Sequence, residues 1–361
     1  VFRRVDEGIN PDLEIGLFLT ERISFANVPR VLGALEYRKK NKEPMTLGIL
    51  HAFVPNQGDA WRYTLDSLGR YFEDVLAKPA ESKNLVLPSE SYWDLLDPDP
   101  PFLVGETVGP YLASAQLLGQ RTGELHRALA SDTTDAAFAP EPFTGLDRRS
   151  LYQSLRTSAE QSFQMLDKTL RRGLPEETEP SAQKVLERSR EIFKKFHALV
   201  ERDLSGLRIR CHGDYHLGQV LYTGKDFVII DFEGEPTRSL SERRIKKSPL
   251  RDVAGMLRSF HYASVAKLKS GQFRPEDIPS LQPWSRFWHF WVSVTFLKAY
   301  LSAVGDSSIL PKSRADIQLL LDLHLLEKNL YELRYEINHR PDWLNIPLQG
   351  ILQLLETRRN P

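Results

Sequence analysis

The chain has 361 residues, with 48 Lys and Arg against 48 Asp and Glu, and 41% of its residues are hydrophobic. A zero net charge excludes the plainly basic surface of a phosphate-backbone binder. One cysteine, Cys211, excludes an internal disulfide and any CxxC metal site, and no apolar run reaches the roughly 18 residues of a membrane span. The length predicts two or three domains or lobes. The chain opens on Val1 rather than Met and shows no signal peptide, so its natural start is expected upstream.

In chain order, Asn10 and Pro11 set an N-cap and an N1 proline at the head of a helix, NPDLEIGLFLTERI. VLGALEYR and TLGILHAFV read as strands, separated by Lys, Asn and Pro. Asp59 is placed to cap a helix whose apolar face is Trp61, Leu65, Leu68, Phe72 and Val75. Residues 78–108 are rich in Pro and Ser and read as loop with short elements. Long helical patterns follow, beginning at Pro110, Ser150 and Pro180. After a short β-ribbon, further helices are expected over 252–271, over the tryptophan-rich stretch 282–304, and over about 313–338. Trp284, Trp288 and Trp291 read as core.

The ribbon is the informative part. QVLYT and FVIID flank GKD, which predicts a hairpin. Its two outer ends carry His212, Asp214, His216 and Gln219 on one side and Asp231 and Glu233 on the other. Antiparallel pairing makes Gln219 and Asp231 neighbours. A Walker phosphate loop fails here. The spacing from Gly218 to Gly224 is one residue too long, and Asp226 stands where Ser or Thr is required. A metal-dependent hydrolase using His212, Asp214 and His216, with Asp231 completing the set, is a second reading. Phosphoryl transfer is the third. Kinases place a catalytic Asp in a short loop, an amide side chain five residues later, and a metal-binding Asp after the next strand. Asp214, Gln219 and Asp231 follow that order and spacing. Considered singly, His212 reads as a loop anchor or a substrate contact. His216 reads as a substrate contact or loop packing, and Glu233 as a metal-site neighbour or a solvated turn residue.

HGDYHLGQ with IDFEGEP resembles the aminoglycoside-phosphotransferase-like kinases, and within them the bacterial maltokinases. FVPNQGDAW, LGQRTGELHRAL, SPLRDVAGMLRSFHYA and LYELRYEINHRPDWLNIPLQGI extend the resemblance over almost the whole chain. It implies an α+β, two-lobed protein-kinase-like fold. The small mixed N-terminal lobe, with the hinge, is expected over residues 1–57 and reads as incomplete. A large, mainly helical lobe is expected over 58–361.

The resemblance also implies roles. Asp214 orients and deprotonates the acceptor hydroxyl, and Gln219 and Asp231 hold Mg²⁺ against ATP. Glu14 pairs with a nucleotide-lobe lysine expected just upstream of Val1. HAFVPNQGD lies at the hinge, so His51 and Phe53 are expected beside the adenine. His212, His216 and Glu233 are expected at the substrate, and the Asp matching Asp252 braces the catalytic loop.

In the last helix, Leu319, Leu323, Leu326, Leu330, Leu333 and Ile337 form a core stripe. At about 100° per residue, Lys328, Tyr331 and Tyr335 lie opposite, with Glu332 and Glu336 flanking. That face is expected to carry the sugar. A lysine and two aromatics suit a neutral disaccharide better than a polycation. The expected activity is therefore cytoplasmic, ATP-dependent conversion of maltose to maltose 1-phosphate, in a protein free of nucleic acid and membrane. The enzyme is expected to be separate from, fused to or associated with a trehalose synthase. A kinase for glucosamine or an aminoglycoside is the alternative within the class, and a pseudokinase-like binding module is a further one.

Overall fold

The computed structural model describes residues 2, 5–78, 85–88 and 91–356. Asn10 caps the first helix as its position dictates, accepting hydrogen bonds from the backbone N–H groups of Asp12 and Leu13. The helices and strands in chain order are α1 (Pro11–Leu17), prolonged by a wider turn over Phe18–Arg22, then β1 (Val31–Tyr37) and β2 (Met45–His51). Next come α2 (Ala60–Ala77), α3 (Phe102–Thr107), α4 (Pro110–Leu129), α5 (Gly145–Arg172), α6 (Glu179–Glu187) and α7 (Ser189–Glu201). The hairpin strands β3 (Val220–Tyr222) and β4 (Phe227–Ile229) follow. The chain then continues through α8 (Leu240–Arg244), α9 (Leu250–Leu268), α10 (Ile278–Val304), α11 (Arg314–His339) and α12 (Asn345–Glu356).

Contacts divide the chain into two units. One comprises residues 1–87, 95–141 and 208–309; the other comprises 88–94, 142–207 and 310–361. This division cuts through the stretch expected as one large lobe, 58–361, whose last residues, 357–361, lie outside the described ones. The expected loop over 78–108 also lies partly outside them, and within it Phe102–Thr107 is helical.

In the first unit β1 and β2 pair antiparallel, with irregularities at Val31/Gly33 and Leu35/Glu36. Asp59 caps α2 by accepting the Arg62 N–H. Helix α10 is apolar on nearly every side and runs through the core. Trp284, Trp288 and Trp291 are all buried, and α10 packs along α4 and α9. β3 and β4 pair Val220 with Ile229 and Tyr222 with Phe227. The second unit is helical. Within it α5 packs on α7 and α11, and α12 packs on α11 and α6. Leu319, Leu323, Leu326, Leu330 and Leu333 are buried along α11, as the stripe predicts.

Candidate active site

The catalytic-loop candidate runs from His212 to Gln219, into the hairpin. Its shape is fixed from behind by α9. Asp252 lies in the first turn of α9, but its carboxylate faces the catalytic loop rather than the helix's own amides. Instead Oδ2 accepts the His212 N–H at 2.8 Å and Oδ1 accepts the Gly213 N–H at 3.0 Å. His126 of α4 adds its Nε2–H at 3.2 Å, and its Nδ1 meets the Tyr300 hydroxyl at 3.0 Å. Asp252 is 1% exposed. Burial alone would raise its carboxyl, but the His126 hydrogen bond and the facing His212 and loop amide outweigh that and hold it below the usual value. Ser259, further along α9, accepts the Leu217 N–H at 3.1 Å. Gly213 turns through a φ of +87°, which favours glycine.

His212 is 1% exposed. Its Nε2 bonds the Ile230 carbonyl at 2.9 Å and its Nδ1 faces the Asp214 N–H at 3.4 Å. A buried ring with both nitrogens engaged is a loop anchor, which corrects its expected place at the substrate and removes it as a zinc ligand. Among the described residues no group of three His, Cys, Asp or Glu side chains stands together to hold a metal. Asp214 and His216 are different: their side chains are 23% and 39% exposed, and His216 Nε2 lies 3.9 Å from Asp214 Oδ2. His216 Nδ1 accepts the Gly218 N–H, tightening the turn into the hairpin.

The hairpin brings its ends together. Gln219 donates its amide N–H to Asp231 Oδ2 at 2.6 Å. Asp231 has a φ of +64°, in the left-handed region that a non-glycine residue occupies at a cost of about 1 kcal/mol. Beside it lies a cavity of about 460 Å³, lined by Asp12, His51, Phe53, Asp231, Phe232 and Glu233 among others. Four expected residues, His51, Phe53, Asp231 and Glu233, thus share one cavity. Glu233 is pushed above its usual value by burial first, then by Asp231 and Asp12. Such concentrated negative charge, with oxygen donors on Asp231 and Gln219, fits a hard divalent cation.

Glu14 does not line that cavity. It accepts from Arg210 at 2.7 Å and from two nitrogens of Arg244 at 3.0 and 2.7 Å. Burial works against its ionisation, and the two arginines more than offset it. The α1 carboxylate that does face the cavity is Asp12. Its Oδ1 accepts the Phe232 N–H at 2.9 Å, and its Oδ2 lies 3.7 Å from His51 Nε2. The facing Asp12 carboxylate is the largest reason that His51 titrates above its usual value. Sequence reasoning passed over Asp12 and His126, although both lie within the quoted stretches NPDLEIGLFLTERI and LGQRTGELHRAL.

Lys328, Tyr331 and Tyr335 lie in the second unit. The Lys328 ammonium sits 5.2 Å over the Tyr331 ring. Tyr335, 42% exposed, stacks on His339 at 4.5 Å, and the Arg340 guanidinium lies between Tyr335 and Trp343 at 5.2 and 5.0 Å. Glu332 and Glu336, expected as flanking residues, are buried at 8% and 1% exposure. Arg340 pairs with Glu336 at 2.7 Å.

Residues 87–234 match the phosphotransferase enzyme family. Over 343 residues the chain is 23% identical to a glucosamine kinase of Streptacidiphilus jiangxiensis, covering 93% of this chain and 64% of that protein. A glucosamine kinase of Mycolicibacterium smegmatis is 31% identical over 159 residues, 43% of this chain and 36% of that one. The chain therefore spans less than two thirds of the length of these curated relatives. Among solved structures, a glucosamine kinase in one crystal form superposes with a TM-score of 0.70 at 21% identity, over 97% of this chain and 70% of that chain. A glucosamine kinase in complex with glucosamine, ADP and inorganic phosphate superposes at 0.69 and 19%, over 97% and 69%. The chain has a protein-kinase-like fold, and its residues 87–234 are similar to the phosphotransferase enzyme family.

Proposed function

We propose that this chain carries the catalytic machinery of an ATP-dependent sugar kinase. The observation that carries the reading is the hairpin that sets Gln219 against Asp231, which lines the cavity, five residues beyond the part-exposed Asp214.

In this reading the hinge backbone after β2 receives the adenine, and Gln219 and Asp231 hold Mg²⁺. When bound, that ion offsets the charge of the nucleotide phosphates and of the transferring group. Asp214 accepts a hydrogen bond from the attacking sugar hydroxyl and aims its oxygen at the γ-phosphorus. The new O–P bond forms as the bond to the β-phosphate oxygen breaks, leaving ADP and a sugar phosphate. The hydroxyl proton passes to Asp214 late in the step. Asp252 and His126 hold the loop amides so that little reorganisation is needed at that moment. His216, with 39% of its side chain exposed beside Asp214, is the loop histidine placed to meet the acceptor.

Glucosamine is the first acceptor we propose, on the strength of the glucosamine kinases that match along the chain. Maltose is the second, supported by the motif resemblance at HGDYHLGQ and IDFEGEP. The test is ADP release by the full-length protein with ATP and Mg²⁺ against glucosamine, maltose and kanamycin. The glucosamine reading expects the highest kcat/KM with glucosamine. A clear preference for maltose would overturn that acceptor and keep the kinase. Nucleotide-independent hydrolysis would overturn both. In the same assay Tyr331→Ala and Tyr335→Ala check the expected sugar face of the second unit: if it binds sugar, the acceptor KM rises about fivefold or more.

A further inference from the structure

Helix α1 is seven residues long, yet it is fixed at several points to the segments that carry Asp214 and Asp231. Glu14 is 13% exposed and is gripped by two arginines. One of them, Arg210, is itself 2% exposed and stands two residues before His212. The Arg210 guanidinium also lies 5.5 Å from the ring centre of Phe138, and Phe138 stacks at 3.7 Å on Phe18, at the end of α1. A buried guanidinium with a carboxylate partner and a ring against it has a single comfortable geometry. Two residues earlier on α1, Asp12 accepts the N–H of Phe232, the residue that follows Asp231. Asp231 is one of three described non-glycine residues with positive φ. A left-handed aspartate persists only where its surroundings over-determine it, and the Asp12 carboxylate is one such restraint. Arg243 adds another, reaching Asp6 at 3.4 Å, the Glu233 carbonyl at 3.4 Å and the Glu233 carboxylate at 3.8 Å.

We propose that Glu14 and Asp12 form one positioning device: Glu14 clamps α1 to the segment entering the catalytic loop through Arg210 and to α8 through Arg244, and Asp12 thereby holds Asp231 in its left-handed conformation by bonding the Phe232 amide. Glu14 is then a positioning residue rather than a nucleotide contact. The functional meaning rests on the phosphotransfer reading, in which Asp231 holds the metal, but the mechanical coupling does not.

The primary test is hydrogen exchange at the Phe232 amide in the full-length protein, followed by NMR without nucleotide or acceptor. Asp12→Ala and Glu14→Ala are expected to speed exchange at that amide at least tenfold, with the melting transition still cooperative. Asp12→Asn keeps an acceptor oxygen and is expected to retain protection, a rescue that loss of a generic packing contact would not give. If Glu14→Ala fails to fold because Arg210 is left buried and unpaired, Arg244→Ala carries the test, since it leaves the Arg210 pair intact. It is expected to raise exchange severalfold. Wild-type exchange rates in Asp12→Ala and in a folded Glu14 or Arg244 variant overturn the proposal. The kinetic companion is the half-activating Mg²⁺ concentration, expected to rise at least fivefold in Glu14→Ala with the acceptor KM unchanged. A rise in the ATP KM alone, with metal dependence unmoved, would make Glu14 a nucleotide contact and overturn the clamp. A wild type that phosphorylates no acceptor would overturn the kinase reading and leave the exchange result standing.

Discussion

Asp252 shows how one buried carboxylate sets the geometry of a loop that it does not belong to. Removing it strands two loop amides and the His126 N–H in a site closed to water. Asp252→Ala is therefore expected to lower unfolding stability by about 3 kcal/mol or more in urea titrations. The pH dependence has a definite sign. The folded carboxyl titrates below its ordinary value of 3.8. Its contribution is thus complete above about pH 4 and is lost as the pH falls through the lower, folded value. The stability gap between wild type and Asp252→Asn should be full at pH 6 and should narrow below pH 4. Glu233 has the opposite sign. Its folded carboxyl titrates above the usual value, so the ionised form is disfavoured, and wild-type stability relative to a neutral residue declines as the pH rises through that value. Glu233→Gln should match or exceed wild-type stability at pH 8, by no more than a few tenths of a kcal/mol after solvent screening. Turnover at limiting Mg²⁺ should fall in the same variant. A clearly less stable Glu233→Gln would contradict the electrostatic reading of the cavity.

At the scale of elements, α9 presses against the catalytic loop. A Cβ added at Gly255 would sit 2.5 Å from the Tyr215 carbonyl oxygen, one residue beyond Asp214. Backbone on both sides leaves little room to yield. Gly255→Ala is expected to cost about 1–3 kcal/mol and to lower turnover more than ATP affinity, checked by thermal melt and steady-state kinetics. The hairpin was legible before the structure was seen, because two β-prone runs around a Gly-containing turn leave few alternatives, and that pairing alone made Gln219 and Asp231 neighbours. The helix starts at Asn10 and Asp59 were equally legible, through their caps. Other features carried no distinct signal. Asp12 sits in the first turn of a helix, where the helix dipole favours an acid whatever its role. His126 occupies a buried position between Leu125 and Leu129 and reads as core. The break between α6 and α7 at Arg188 interrupts the backbone while apolar residues continue on either side, so periodicity reads one helix. The helix over Asn345–Glu356 was not among the expected ones; its Pro347 falls in the first turn, where a missing N–H costs nothing. The two arginines that Glu14 meets are distant in sequence, so its spacing from the helix start carries no signal of them.

For the molecule as a whole, the residues expected to do chemistry fall in the first contact unit, and the face expected to carry sugar falls in the second. The order of elements follows the kinase-like resemblance. The boundary at residue 57 does not coincide with the division of contacts, because α2, α4 and the hairpin cluster with the N-terminal strands. No described helix is long and apolar enough to cross a membrane. The central claim is that Asp214 directs phosphoryl transfer from ATP to a sugar hydroxyl. Its most direct measurement is ³¹P NMR of the full-length protein with ATP, Mg²⁺ and glucosamine, comparing wild type with Asp214→Asn. Wild type should convert ATP to ADP and a sugar phosphate in equal amounts. Asp214→Asn should melt normally and bind ATP as before but turn over roughly 10²- to 10⁴-fold more slowly. Undiminished sugar phosphate from Asp214→Asn, or ATP consumed by the wild type to inorganic phosphate alone, would contradict the account.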